Sequence, residues 1–289
     1  MRNKAGRTLA VLALVLGLAA LGLAQTKTLT ILHANDTHSA LLPIGHPSAP
    51  GPFKEMAGEE PLTGPGHAGL IRDVGGIARM AALIKEIKAR GGNVLTLHGG
   101  DACVGSFEFN KYLGYPELKI MEGLYDAMTL GNHEFDLGIQ NLANVINGAY
   151  GDLGPVTLPL LCSNIEFADL PVEGLIQKSI IKEFDGLKVG VFGVITEEPM
   201  YFGPEVIAQF GQSVLLDAAE QAYLLRAAGC QIVVCLSHLG TLGDLYGLAE
   251  NVPGIDIVVG GHSHDLFEQA VVHSGKIVVQ AGSHGRWLG

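Results

Sequence analysis

Five apolar runs in this 289-residue chain each end in side chains that can offer an oxygen or an imidazole nitrogen to a cation. Residues 29–33 lead into Asn35-Asp36-Thr37-His38, and 94–97 into His98-Gly99-Gly100-Asp101. Residues 127–130 lead into Gly131-Asn132-His133-Glu134-Phe135-Asp136, 232–236 into Ser237-His238, and 255–259 into Gly260-Gly261-His262-Ser263-His264. The donors Asp36, His38, Asp101, Asn132, His238, His262 and His264 exceed the four ligands that a tetrahedral zinc takes. Shared through Asp101, they would give each of two ions about four protein ligands and leave room for water and substrate. Two ions about 3.5–4 Å apart can clamp the attacking and leaving oxygens of an in-line displacement, the chemistry of phosphoester hydrolysis. Mixed Asp, Asn and His ligation suits zinc, manganese or iron better than calcium.

Taken singly, most of these signals are weak. Asp-x-His recurs by chance, Gly-Asp after a strand is usually a turn, and Ser-His at a strand end is more often a packed histidine. Gly-Asn-His-Glu-Phe-Asp is more specific, because it sets four polar residues directly after an apolar strand. In extended chain, a spacing of two puts Asp36 and His38, and again His262 and His264, on one side. His33 and His98 are expected to be packed behind the site. His46, His67, His273 and His284 are expected at the surface, and Arg79 in a structural ion pair.

Residues that act together need elements that bring them together. Predicted strands cover 28–33, 93–97, 127–130, 158–162, 188–194, 231–236, 256–259 and 276–280. Several are apolar throughout, as in strands covered on both faces. Helices are predicted over 77–90, with Met80, Leu83, Ile84 and Ile87 on one stripe, and over 213–228, with Ser213 as N-cap and Gly229 as stop. Asp185-Gly186 marks a hairpin turn. This alternation predicts an α/β domain with a mixed sheet core, in which ligands collect at the carboxyl ends of the strands. Pro43 to Gly75, dense in Pro and Gly and without periodicity, reads as a long loop or a lid over the site.

Composition narrows the partners. The formal net charge is −11, a poor match to a nucleic-acid polymer. A small anionic substrate still fits, provided that cations reverse the local field. A basic head (Arg2, Lys4, Arg7) and an apolar run from Leu9 to Leu23, ending in small residues, read as a signal peptide cut near Ala24. The expectation is therefore an exported protein, periplasmic or extracellular, with no stable membrane anchor after cleavage. Cys103, Cys162, Cys230 and Cys235 have no metal-binding spacing and are expected to be unpaired.

These motifs, with Gly75-Gly76-Ile77-Ala78-Arg79, resemble the calcineurin-like metallophosphoesterase superfamily, and within it the exported 5'-nucleotidase family that includes bacterial UDP-sugar hydrolases. The resemblance implies a four-layer α-β-β-α sandwich with two metals at one end. It implies that Asp36, His38 and His264 hold the first metal, Asn132, His238 and His262 the second, and that Asp101 bridges them. It makes His133 and Asp136 the catalytic pair, with His133 on the phosphoryl or leaving oxygen and Asp136 orienting its ring. The substrate it implies is a 5'-nucleotide, attacked by a metal-held hydroxide. Neighbouring expectations are a 2',3'-cyclic-nucleotide phosphodiesterase, a UDP-sugar diphosphatase and, from another class, a non-catalytic metal-binding module. The familiar nucleotidase pattern has Gln at the place of His264. It also continues into a carboxyl-terminal specificity domain, so residues 25–289 are expected to form the metal domain alone.

Overall fold

The computed structural model describes residues 26–43 and 74–289. The signal segment, residues 44–73 of the predicted loop, and His46 and His67 lie outside the described residues.

The strands are β1 (Leu29–Ala34), β2 (Asn93–His98), β3 (Ala127–Thr129), β4 (Leu160–Leu161), β5 (Ser179–Phe184), β6 (Leu187–Ile195), β7 (Ile232–His238), β8 (Ile257–Val259), β9 (Val271–His273) and β10 (Lys276–Val279). The predicted mixed core resolves into two sheets. One holds β1-β2-β3-β4, all parallel; the other is ordered β5-β6-β7-β8-β10-β9. In the second sheet only the edge strands β5 and β9 run antiparallel to their neighbours. The β5–β6 hairpin turns at Asp185 and Gly186, whose φ angles of 51° and 81° are what a tight two-residue turn needs.

Three apolar cores follow from two sheets. Leu95, Leu97, Ala127 and Leu161 of the first meet Val189, Val191, Val234, Leu236 and Val259 of the second. The outer face of the first sheet packs on α1 (Ile77–Ala89), α2 (Phe107–Tyr112), α3 (Tyr115–Met121) and α4 (Ile139–Ile146). The outer face of the second packs on α6 (Val214–Ala227), which follows the single turn α5 (Pro204–Ile207), and on π-helical turns at Gly243–Ala249. Central strands are therefore covered on both faces, which is why they read as continuous apolar runs. The four layers match the expected sandwich.

Some local expectations change. On α1, Met80 and Ile84 are buried but Leu83 is 42% exposed. Ser213 precedes α6 without a capping side-chain hydrogen bond, and Gly229, at φ 86°, follows the helix end. Helices α2 to α4 are too short for a stripe to stand out in sequence. All four cysteines are buried and free, so Cys230 and Cys235 form no disulfide.

The sheets approach each other closely at Gly193 of β6, where an added Cβ would lie 2.6 Å from Thr129 Oγ1 and 2.7 Å from the Leu161 carbonyl oxygen. Gly193→Ala is expected to cost about 1–3 kcal/mol, read as a lower urea midpoint at unchanged m-value. An unchanged midpoint would contradict this apposition.

Candidate metal centre

Because β1, β2, β3, β6, β7 and β8 are parallel within their sheets, their carboxyl ends share one rim of the sandwich. The two sheets are stitched together there. His238 at the end of β7 donates Nδ1–H to the Gly99 carbonyl after β2, at 2.7 Å. The His262 amide beyond β8 donates to Asp36 beyond β1, at 2.9 and 3.1 Å to its two oxygens. All seven predicted donors arrive at this rim.

They form two groups. The ligand atoms of Asp36, His38 and His264 lie within 4.8 Å of one another, as do those of Asp101, His238 and His262. Asn132 Oδ1 joins the second group, 2.9 Å from His262 Nδ1. His38, Asp101 and His133 form a third combination at the same limit, so Asp101 stands between the two sides. Asp36 and Asp101 are buried, whereas the His264 side chain is 41% exposed.

The His238–Asp101 contact tests whether a cation fits. A carbonyl only accepts, so His238 Nδ1 carries the hydrogen and Nε2 presents a lone pair. That Nε2 is fully buried and makes no hydrogen bond, yet it faces Asp101 Oδ2 at 3.0 Å. A lone pair against a carboxylate in a dry site is repulsive unless positive charge lies between them. Without metal, a proton supplies that charge. Burial opposes it, but the Asp101 and Asp36 charges raise the His238 pKa to about 10. Conversely, burial works to raise Asp101, and the His238 charge holds it well below the carboxylate range. His38 and His264 repeat the pattern, with Nε2 atoms 2.9 Å apart and Asp36 Oδ1 at 3.8 and 3.4 Å. The donor set could hold cations.

The backbone that delivers these donors is not extended, contrary to the reasoning from spacing. Asp36, His38, Asp101, His262 and His264 all take positive φ, between 46° and 75°. Such conformations cost energy in non-glycine residues and persist where surrounding structure enforces them. One enforcer is Glu134. Its carboxylate accepts from the amides of Gly131 (2.7 Å), Asp101 (3.0 Å), Ala102 (2.8 Å) and Cys103 (3.1 Å). Burial and the Asp101 charge push the Glu134 pKa up to about 7 against the pull of those donors. Gln280 is another: its oxygen accepts from the Asp265 amide and the Ser263 hydroxyl, and its Nε2 donates to the Gly261 carbonyl at 3.1 Å. Asn35 ties Asp36 Oδ2 (2.7 Å) to the backbone of Ala281 and Gly282.

His133 and Asp136 are in contact, with Nδ1 2.9 Å from Asp136 Oδ2. That hydrogen bond raises the His133 pKa, ahead of the lowering by burial. His133 Nε2 stands 3.9 Å from Asp101 Oδ2, and its ring meets His38 edge-on at 5.2 Å. His33 and His98 are buried behind the site, and burial depresses both, to about 4 and about 3. His284 corrects the sequence reading. It is buried, its amide donates to the Asp36 carbonyl at 2.7 Å, and its ring packs 5.1 Å from His38. Gln280 follows β10 as the predicted donors follow their strands, so the same strand-end signal points to it. His284 follows a run of small residues and gives no such signal.

The family model for calcineurin-like phosphoesterases matches residues 29–266, which hold all seven donors. The chain belongs to that family. A snake venom 5'-nucleotidase from Naja atra is 31% identical over 90% of this chain and 49% of its own length. The trifunctional nucleotide phosphoesterase protein YfkN of Bacillus subtilis is 30% identical over 73% of this chain and 16% of its own. Among solved structures, a 5'-nucleotidase precursor from Thermus thermophilus superimposes with TM-score 0.73 at 31% identity, covering 90% of this chain and 50% of that one. The chain thus spans about half the length of the venom relative and of that neighbour.

Glu134→Gln keeps the shape but turns an NH₂ toward backbone donors, leaving buried N–H groups unpaired at about 1–3 kcal/mol each. The expected result is a loss of roughly 2–4 kcal/mol in denaturant unfolding, together with weaker metal retention on dialysis. Wild-type stability would show that Glu134 does not hold these loops.

Proposed function

We propose that this chain hydrolyses phosphate esters of small molecules, 5'-nucleotides first among them, at a centre of two divalent ions. The observation that carries the reading is the pair of three-residue groups on either side of Asp101. In this assignment Asp36, His38 and His264 hold one ion, Asn132, His238 and His262 the other, and Asp101 both. The ions, when bound, supply Lewis acidity toward the phosphoryl group and lower the pKa of water to near neutrality. The remaining work falls to side chains. Asp136 accepts the Nδ1–H of His133 and so fixes the direction of Nε2. That nitrogen, at the mouth and partly exposed, donates to a phosphoryl oxygen or to the leaving oxygen as the P–O bond breaks. A metal store has no use for an oriented, half-exposed imidazole, which favours an enzyme over a binding module.

The relatives named for nucleotides support that substrate class. Residues 25–289 are assigned to the metal domain, and the pattern of residues 2–24 supports export. Among the described residues no helix is long and apolar enough to cross a membrane.

Phosphate release from AMP, ATP, UDP-glucose, a 2',3'-cyclic nucleotide and an aryl phosphate, with EDTA and with restored manganese or zinc, tests the function. The expected result is EDTA-sensitive release, strongest on a 5'-nucleotide. Preference for the cyclic or sugar substrate would move the assignment within the family, and no release from a metal-loaded chain would overturn it. His133→Ala is expected to retain both ions by metal analysis while kcat falls about 10²–10⁴-fold. An ion lost from that variant would make His133 a ligand.

A further inference from the structure

The segment after β6 belongs to none of the predicted motifs, yet it ends at the same rim. Its first residues are gripped hard: the Asn164 side chain pairs with the backbone of Ile195 at 2.9 and 3.0 Å, and the Thr196 amide donates to the His238 carbonyl at 3.1 Å. Further on, Phe202 packs edge-on against Phe135 and Phe210, both at 5.2 Å, and Tyr201 against the His262 ring at 5.9 Å. Pro199 and a short 3₁₀ turn at Pro199–Tyr201 stiffen the stretch between these anchors. Glu198 lies inside it, with Oε2 3.9 Å from His262 Nε2.

That placement bears on the tautomer of His262. Its Nδ1 faces Asn132 Oδ1 at 2.9 Å, and His262 belongs to the second ligand group. For Nδ1 to offer a lone pair to an ion, the hydrogen of the neutral ring must sit on Nε2, and Nε2–H then needs an acceptor. We infer that Glu198 is the positioning carboxylate for His262: its charge, at ion-pair distance from Nε2, favours the tautomer with the hydrogen on Nε2 and so leaves the Nδ1 lone pair aimed into the centre. Ligating histidines are commonly held this way, and removal of such a partner weakens metal binding about 10–100-fold. Glu198 is half-exposed, which places its effect at the lower end. The inference rests on His262 being a ligand, as proposed above.

Metal retention separates the two ideas. Wild type, Glu198→Ala, Glu198→Gln and His262→Ala are loaded with zinc, equilibrated against graded chelator and analysed for bound metal, with circular dichroism to verify folding. Glu198→Ala is expected to release one of two ions at about tenfold lower chelator strength. Glu198→Gln, which keeps the shape but not the charge, is expected to lose as much, and His262→Ala loses the ion outright. Wild-type retention in Glu198→Gln, beside loss in Glu198→Ala, would overturn the role of the charge in favour of side-chain packing. Wild-type retention in Glu198→Ala, beside loss in His262→Ala, would sink the inference and leave the centre intact. Two ions retained by His262→Ala would overturn the ligand assignment itself.

Discussion

Lone pairs and carboxylates confront one another at the rim of this sandwich, at distances that only positive charge makes tolerable. His238 Nε2 against Asp101 Oδ2, in a fully buried setting, is the sharpest case. Much else in the structure follows from keeping those groups together. The Gly99 carbonyl keeps a hydrogen on His238 Nδ1, so Nε2 meets the acid only with a second proton or a cation between them. Asp36 cannot swing away, since both its oxygens are held by the His262 amide and one also by Asn35. A rim so constrained stores an affinity for cations that a flexible cluster of the same residues would not have.

The strain in the backbone has the same origin. Parallel strands carry the chain to one edge, but the donors must then turn back toward a common point within two or three residues. Left-handed residues make that turn, and Asp and His tolerate them better than branched residues do. Glycine supplies the space around them. A Cβ on Gly131 would lie 2.1 Å from Asp101 Oδ1, and one on Gly261 would lie 2.5 Å from the Gly99 carbonyl oxygen. Glu134 offsets part of the cost by collecting four amides that the sharp turns leave outside any ladder. Glu134 therefore belongs with the ligands in importance, although it touches no substrate.

This division explains what could be read from sequence. Strand ends rich in donors were legible because apolar runs and polar bursts differ in kind, and Asp185-Gly186 was legible because few residues accept that turn. The separation of β1–β4 from β5–β10 is not in any local pattern: both sheets have the same buried strands, and only the resemblance pointed to two. Spacing of two suggested extended chain for Asp36 and His38, whereas both are left-handed. His284 looked like a surface residue because its burial depends on the carboxyl-terminal segment returning to β1, where the Gly289 amide and carbonyl pair with His33.

The two sides of the centre differ in exposure, and that difference has a direction. His238 lies at full burial with its tautomer locked, and Asp101 beside it is nearly inaccessible. On the other side His264 is exposed and its ring packs at 5.6 Å against His284, a neutral imidazole kept so by burial and by nearby ring charges, with a pKa pushed down to about 4. The Asp36, His38 and His264 group is thus open at His264, and the other group opens only at His262, while His238 and Asp101 stay dry. Desolvated electrostatic contacts are stronger and less screened than exposed ones. The His238–Asp101 contact is therefore the stronger and less screened of the two, and the contact of His264 with Asp36 the weaker. His264 stands where the familiar nucleotidase pattern has an amide, so the departure from that pattern falls on the side most open to solvent.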